Sequence, residues 1–429
     1  MNTPHHKASI VPREYRFAFI LLTACFAAWG LANNMTDPLV KVFPRIFTMT
    51  ALQGALVQFS FYGAYFCFAL PAAILIKKTS YKTGVLAGLG LFITGAFLFY
   101  PASVSLTYGS FLCALFVLAG GLAILETSAN PFIIALGPEE TATQRLNLAQ
   151  AFNPVGSNIG VFLAALFILP NLNIAGDAER LAMKIADPAA LREIQSNELA
   201  AVMGPYVGMA ACMLFLWLAI ALTHMPRASD ASPRIDLWPT IKRLMSNPHY
   251  VFGVVAQFFY VAAQICMWTF TIQYGTEVLG LTVTQSGFYL QASLIVFLLF
   301  RFVCTALMRV MRPSKLLLAM AAGGAALCAV AVLSPGQVGL IAIVAVSACM
   351  SLMYPTIYGI ALKGLGEDTK LGAGGLVMAI LGGALLPLLQ AGIIDRFGAA
   401  VSYLVPLACF GVVLAFARFD LVHPPRTGR

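Results

Sequence analysis

Long apolar runs separated by short polar breaks organise the chain from end to end. The hydrocarbon core of a bilayer needs roughly 20 apolar residues per helix. Runs of that order occur at 17–43, 52–76, 84–101, 106–136, 146–170, 202–224, 250–276, 286–310, 315–334, 337–362, 371–394 and 400–419. Several exceed the minimum, which implies tilt or extension beyond the bilayer. The pattern predicts an all-α membrane protein with twelve transmembrane helices.

Two longer loops interrupt this rhythm. Residues 171–201 mix acids and bases, among them Asp177, Glu179, Arg180, Arg192 and Glu198, and predict a short surface helix outside. Residues 225–248 carry Pro226, Pro233, Pro239 and Pro248 among charges, on the cytoplasmic side after the sixth span. The second loop divides the chain into an N-terminal six-helix bundle (1–224), a cytoplasmic linker (225–249) and a C-terminal six-helix bundle (250–429). A faint repeat agrees: Pro131 and Pro355 lie 224 residues apart, and Glu139 and Glu367 lie 228 apart. A duplicated six-helix unit is the architecture of carriers that rock two halves around a midplane site.

Composition supports a lipid setting. Charged residues make up 10% of the 429, against about a quarter in soluble domains, and 60% are hydrophobic. The 26 basic residues test the topology. With both termini inside, most fall in cytoplasmic loops and tails, as with Lys77, Lys78 and Lys82, or Arg309, Arg312 and Lys315. The expected location is therefore a bacterial inner membrane, multi-pass, with both termini cytoplasmic and Met1–Tyr15 a retained tail. This scatter also accounts for the net charge of +9 without a nucleic-acid partner. The nine cysteines sit singly and read as small buried hydrophobes. No Gly-Lys dipeptide, His-Glu-x-x-His or Gly-x-Ser-x-Gly occurs, so no phosphate loop, metalloprotease or hydrolase chemistry is expected, and no metal site.

The informative residues are acids inside apolar runs, each costly to hold in lipid. Two stand out: Asp37, on one helix face with Trp29 and Asn33 and close to Asn34, and Glu126, one turn before Asn130. Structural carboxyls bonded to neighbouring helices are one reading. Proton binding, with release as solvent access alternates, is the stronger one. Polar stripes add a second theme. Asn147, Gln150, Asn153 and Ser157 advance by three or four along the fifth span, as do Gln257, Tyr260, Gln264, Trp268 and Thr271 along the seventh. Amides beside aromatic faces suit a neutral polyhydroxylated ligand, although interhelical packing bonds explain single amides equally well. Arg301, inside the eighth span, is expected to be structural or to gate, by snorkelling or by pairing with a carboxylate.

At these residues the chain resembles the L-fucose/proton symporters of the major facilitator superfamily. The matching stretches are AWGLANNMTDPLV (28–40), LQGALVQFSFYGAYF (52–66), PAAILIKKTSYKTGV (71–85), LETSANPFI (125–133), LGPEETATQRLNLAQAFNPVGSNIG (136–160), MSLMYPTIYGIALKGLGEDTKLG (350–372) and ARF (417–419). They cover both halves. The resemblance implies the superfamily fold of two six-helix bundles, a central cavity and sugar uptake driven by the proton gradient, with no cofactor and a monomer as the working unit. It implies proton coupling at Asp37 and Glu126, and sugar contacts at Asn34, Gln150, Asn153 and Tyr354, with Trp29 lining the cavity. Gln264 joins the set from the seventh-span stripe. Met35, Thr36, Pro38 and Pro154 depart from the family pattern. The family includes glucose, galactose and N-acetylglucosamine carriers, which leaves the sugar open.

Overall fold

The computed structural model describes residues 9–46, 51–105, 107–163, 166–167, 177–225 and 236–424, without the side chains of 33, 35–46, 51–56, 58–59, 177–178 and 201–202. The described chain is helical apart from turns. The first four runs become single helices, α1 (Arg16–Ile46), α2 (Ala51–Lys78), α3 (Tyr81–Ser105) and α4 (Tyr108–Ala135). Among the described residues eleven helices are long and apolar enough to cross a membrane. The fifth run, in two pieces, supplies a twelfth segment. Large apolar side chains stand exposed around the outside, including Phe162, Phe215, Leu222 and Leu388, as lipid contact requires.

The predicted runs differ from the helices where local signals compete. The fifth divides into α5 (Ala142–Gln150) and α6 (Asn153–Leu163). Pro154 has no N–H and its ring crowds the carbonyl four residues back, which ends α5 at Gln150. Pro355 has the same effect on the tenth run, splitting it into α13 (Gln337–Met350) and α14 (Met353–Ala361). The eleventh comprises α15 (Thr369–Met378), a 3₁₀ turn at Ala379–Leu381 and α16 (Gly382–Phe397). The breaks at 151–152 and 379–381 lie about 228 residues apart, the spacing of the Glu139–Glu367 repeat.

The two polar loops contain more structure than their composition suggests. In the first, α7 (Asp177–Ala186) is followed at once by α8 (Pro188–Leu222), so the sixth span begins well before residue 202. Asp187 caps α8 by accepting from the Ala190 N–H, and Pro188 fits its first turn. Arg180 and Glu198, both buried, join α7 to α8 through a two-pronged pair of 2.9 and 2.5 Å. In the second, α9 (Leu237–Met245) turns Leu237, Ile241 and Leu244 inward.

The remaining spans are α10 (Pro248–Leu279), α11 (Val283–Leu307), α12 (Pro313–Leu333), and the pair α17 (Ala399–Ser402) and α18 (Leu404–Val422). A capping box between Thr282 and Gln285 starts α11 just after Gly280 ends α10 in the left-handed region. Small residues let backbones meet. A Cβ on Gly30 of α1 would lie 2.0 Å from the Asn153 carbonyl oxygen of α6. Gly382 of α16 approaches the Phe258 carbonyl of α10 in the same way, at 2.2 Å. Arg145, fully buried at the start of the fifth span, donates to the carbonyls of Ile133, Ile134 and Gly137 at the end of α4 and to Ile10 near the N-terminus. It satisfies carbonyls that the end of α4 leaves without helical partners.

Candidate functional site

Helices α1 to α8 pack chiefly among themselves, and α10 to α18 likewise. The seam between the groups carries the polar chemistry. Its closure is one-sided. Asn147 donates to Thr356 Oγ1 at 3.1 Å, Gln144 to the Thr305 carbonyl at 3.2 Å, and a Cβ on Gly359 would meet Thr143 Oγ1 at 2.8 Å. All lie toward the end where α1 starts, α18 stops and α9 sits. There Lys77 of α2 donates to Thr240 of α9, and Arg243 of α9 grips Asp368 with two bonds of 2.9 and 2.7 Å. Farther along the seam the contact is looser: Gln291 of α11 reaches Asn158 of α6 at 3.3 Å.

Glu126 lies where the closed part of the seam ends. It is 1% exposed, and its Oε1 accepts from the hydroxyl of Tyr354, at the start of α14 in the opposite group. One turn along α4, Asn130 accepts from Gln150 Nε2 at 2.7 Å. Glu126 Oε2 and Asn130 Nδ2 have no partner among the described residues. Tyr354 stacks on Tyr358, with centroids 6.2 Å apart, and tilts against Tyr260 of α10 at 6.3 Å. A carboxyl thus faces an aromatic cluster, with free acceptor and donor atoms beside it.

The other anticipated residues gather at the crossing of α1 and α6. Asn34 donates to the Gly30 carbonyl at 3.2 Å, Asn153 to the Phe26 carbonyl at 3.3 Å, and Ser157 to Gly30 at 3.5 Å. Trp29 donates to the Tyr65 hydroxyl at 3.1 Å. Asp37 lies on α1, but its side chain and that of Asn33 are outside the described residues. Gln264 is half-buried and makes no hydrogen bond among the described residues. Its stripe partners on α10 are engaged in packing: Tyr260 donates to the Met350 carbonyl at 3.0 Å, Trp268 to Ser347 at 3.3 Å, and Thr271 to Met267 one turn back. Several members of the stripe thus serve the C-terminal helices' own cohesion. Tyr65 and Tyr358 were absent from the anticipated set, because a tyrosine in an apolar run resembles any aromatic until its neighbours are known.

Among the described residues no three His, Cys, Asp or Glu side chains are placed to hold a metal ion. His249, Asp420 and Ser314 do converge where α10 and α12 start and α18 ends, but the ring and the hydroxyl both bond the carboxylate. The imidazole is bonded to the carboxylate and not to the serine, so no serine–histidine relay is formed. What the seam offers is a protonatable group and unsatisfied hydrogen-bonding atoms between two bodies.

The chain matches the Major Facilitator Superfamily over residues 19–380. It is 40% identical to the L-fucose-proton symporter of Haemophilus influenzae, over 95% of this chain and 97% of that one. Identity to the glucose/galactose transporter of Brucella abortus is 32%, over 96% of each. Among solved structures it superposes on the transporter FucP in the outward conformation with a TM-score of 0.88, 38% identity, and coverage of 95% of this chain and 99% of that one. With its twelve apolar segments and divided packing, this multi-pass membrane chain belongs to the Major Facilitator Superfamily.

Proposed function

We propose that the protein is a sugar:proton symporter that imports L-fucose by alternating access. The observation that carries this reading is Glu126, a buried carboxyl at the seam, bonded by Tyr354 from the other side. A carboxyl held there gains or loses its proton as the halves change which face they open. Similarity to symporters named for L-fucose supports the choice of sugar.

The two moving bodies are residues 1–224 and 250–429, joined by 225–249. Asp37 and Glu126 exchange the proton, and Trp29, Asn34, Gln150, Asn153, Gln264 and Tyr354 contact the sugar. Both termini are cytoplasmic in a bacterial inner membrane, so the one-sided closure corresponds to a state open to the outside. A single copy suffices, the proton gradient replaces any cofactor, and no nucleic acid takes part. Protonation from outside favours sugar binding, and the loaded carrier reorients. A second reading keeps the cycle but changes the cargo to glucose, galactose or N-acetylglucosamine, and similarity to glucose/galactose transporters favours it.

The test is the pH outside lightly buffered cells expressing the protein as L-fucose, D-glucose, D-galactose and N-acetylglucosamine are added in turn. Alkalinisation with L-fucose alone supports the first reading, and with another sugar the second. Sugar uptake without any pH change excludes coupling.

A further inference from the structure

Arg301 contrasts with the other polar side chains of the seam. It lies on α11, 4% exposed, and neither its Nε nor its Nη1 has a hydrogen-bond partner among the described residues. None of the ion pairs among the described residues includes it. Its guanidinium carbon rests 4.9 Å from the centroid of Phe297, one turn earlier on the helix. That ring is held edge-on against Trp268 of α10 at 5.0 Å. The nearer end of α11 is Leu307, and the side chain turns away from it. Snorkelling to the interface is therefore excluded, and the charge stays within the membrane span.

A buried cation with free N–H groups is costly, and a cation–π contact offsets only part of that cost. Donors kept in this state point to an acceptor that arrives during the working cycle. A side chain on the adjacent helix α10 repeats the signature. Gln257 of α10 is fully buried with both amide atoms unpartnered. On its helix it falls between Gly253, which abuts Ala361, and Tyr260, which meets Tyr354. The position of Arg301 on α11 adjoins the face that meets the N-terminal helices, where Phe302 packs edge-on against Phe152 at 5.8 Å.

Resting on the sugar-carrier reading, we propose that Arg301 is a specificity-determining residue, giving its free N–H groups to oxygens of the transported sugar as the halves close over it. The flat fork of a guanidinium can give two N–H groups to two adjacent sugar oxygens, and Phe297 supports it from one side. A carboxylate ligand would satisfy the same donors, and the choice of a sugar comes from the carrier reading on which this assignment rests. A site built to donate to a hydroxyl oxygen discriminates strongly against an analogue lacking it, because its own buried donors then go unpaired.

The experiment measures displacement of labelled L-fucose from purified protein in lipid nanodiscs by each mono-deoxy analogue of L-fucose, for wild type, R301Q and R301K. The expected result is that one analogue binds wild type about tenfold or more weakly than L-fucose. That ratio should fall to near unity in R301Q and lie between in R301K. A purely structural role for Arg301 lowers all affinities together and leaves the ratios unchanged, and that outcome overturns the assignment alone. Failure of wild type to bind L-fucose overturns the choice of sugar and this assignment with it. If R301Q does not fold, R301K and F297L carry the same comparison, since loss of the ring removes the support on which the guanidinium rests.

Discussion

Tyr354 and Glu126 meet across the seam although 228 residues separate them in the chain. The phenol donates to a carboxyl oxygen, and such a bond is stronger to a carboxylate than to a neutral acid. The link between the halves and the proton on Glu126 are therefore one system. An ionised Glu126 holds Tyr354 firmly, and a protonated one loosens it. On the proposed symport reading, this is a local physical reason for a proton to bias the reorientation of the two halves.

Replacing an acid tests the coupling directly. Asp37→Asn and Glu126→Gln should each abolish sugar accumulation driven by a pH gradient in membrane vesicles. Glu126→Gln should retain exchange of labelled for unlabelled sugar, because a neutral amide mimics the protonated carrier. Undiminished accumulation by either variant removes that residue from the coupling.

Tyr354→Phe deletes the donor and leaves Glu126 without its bond across the seam. The loss is expected to be about 1.5–3 kcal/mol, the range for a hydrogen bond to a charged group. A cysteine placed at Gln144, buried where the halves close, reports the consequence once the exposed Cys67, Cys113 and Cys212 are replaced. It should react with a polar maleimide faster when Tyr354 is Phe. Equal rates mean that the bond does not hold the seam.

Arg145 ties the end of α4 to the N-terminal segment. Arg145→Gln removes most of these donors and leaves buried carbonyls unpaired, an expected cost of about 2–4 kcal/mol. The melting temperature of the purified protein should drop clearly, while the variant's substrate preference among the four sugars stays as in wild type.

Gly30→Val forces side-chain atoms into the space occupied by the Asn153 carbonyl. Overpacking of this kind costs about 1–3 kcal/mol or more. It should also push α1 away from α6, carrying Asn34 and Asn153 apart. Sugar affinity should therefore fall together with melting temperature, whereas Gly63→Val, at a position with open space around it, should spare both.

Much of the fold was legible in the order of residues. Bilayer thickness sets a length for apolar runs, so twelve segments could be counted before any contact was known. A buried acid in such a run is rare enough to mark Glu126 by itself. Pro154 and Pro355 carry their helix breaks in their own chemistry, although neither break was anticipated, because hydropathy reports burial in lipid and not the continuity of hydrogen bonds. The capped start of α8 at Asp187 and Pro188 was likewise hidden under the charges of the first long loop.

Partnership was not legible. The seventh-span stripe treats Gln257, Tyr260, Gln264 and Trp268 alike, yet Tyr260 and Trp268 bind their own half, while among the described residues enclosed Gln257 and half-buried Gln264 have no hydrogen-bond partner. Periodicity gives a residue's face on its helix, while the identity of the facing helix depends on how separate segments dock. The sequence by itself determined the membrane setting, the number of segments and the two acids, because these follow from local transfer energies. Only the tertiary structure decided that Glu126 belongs with Tyr354, that Arg145 closes the end of α4, and that Arg301 keeps its donors free, because each depends on side chains brought together from distant segments of the chain.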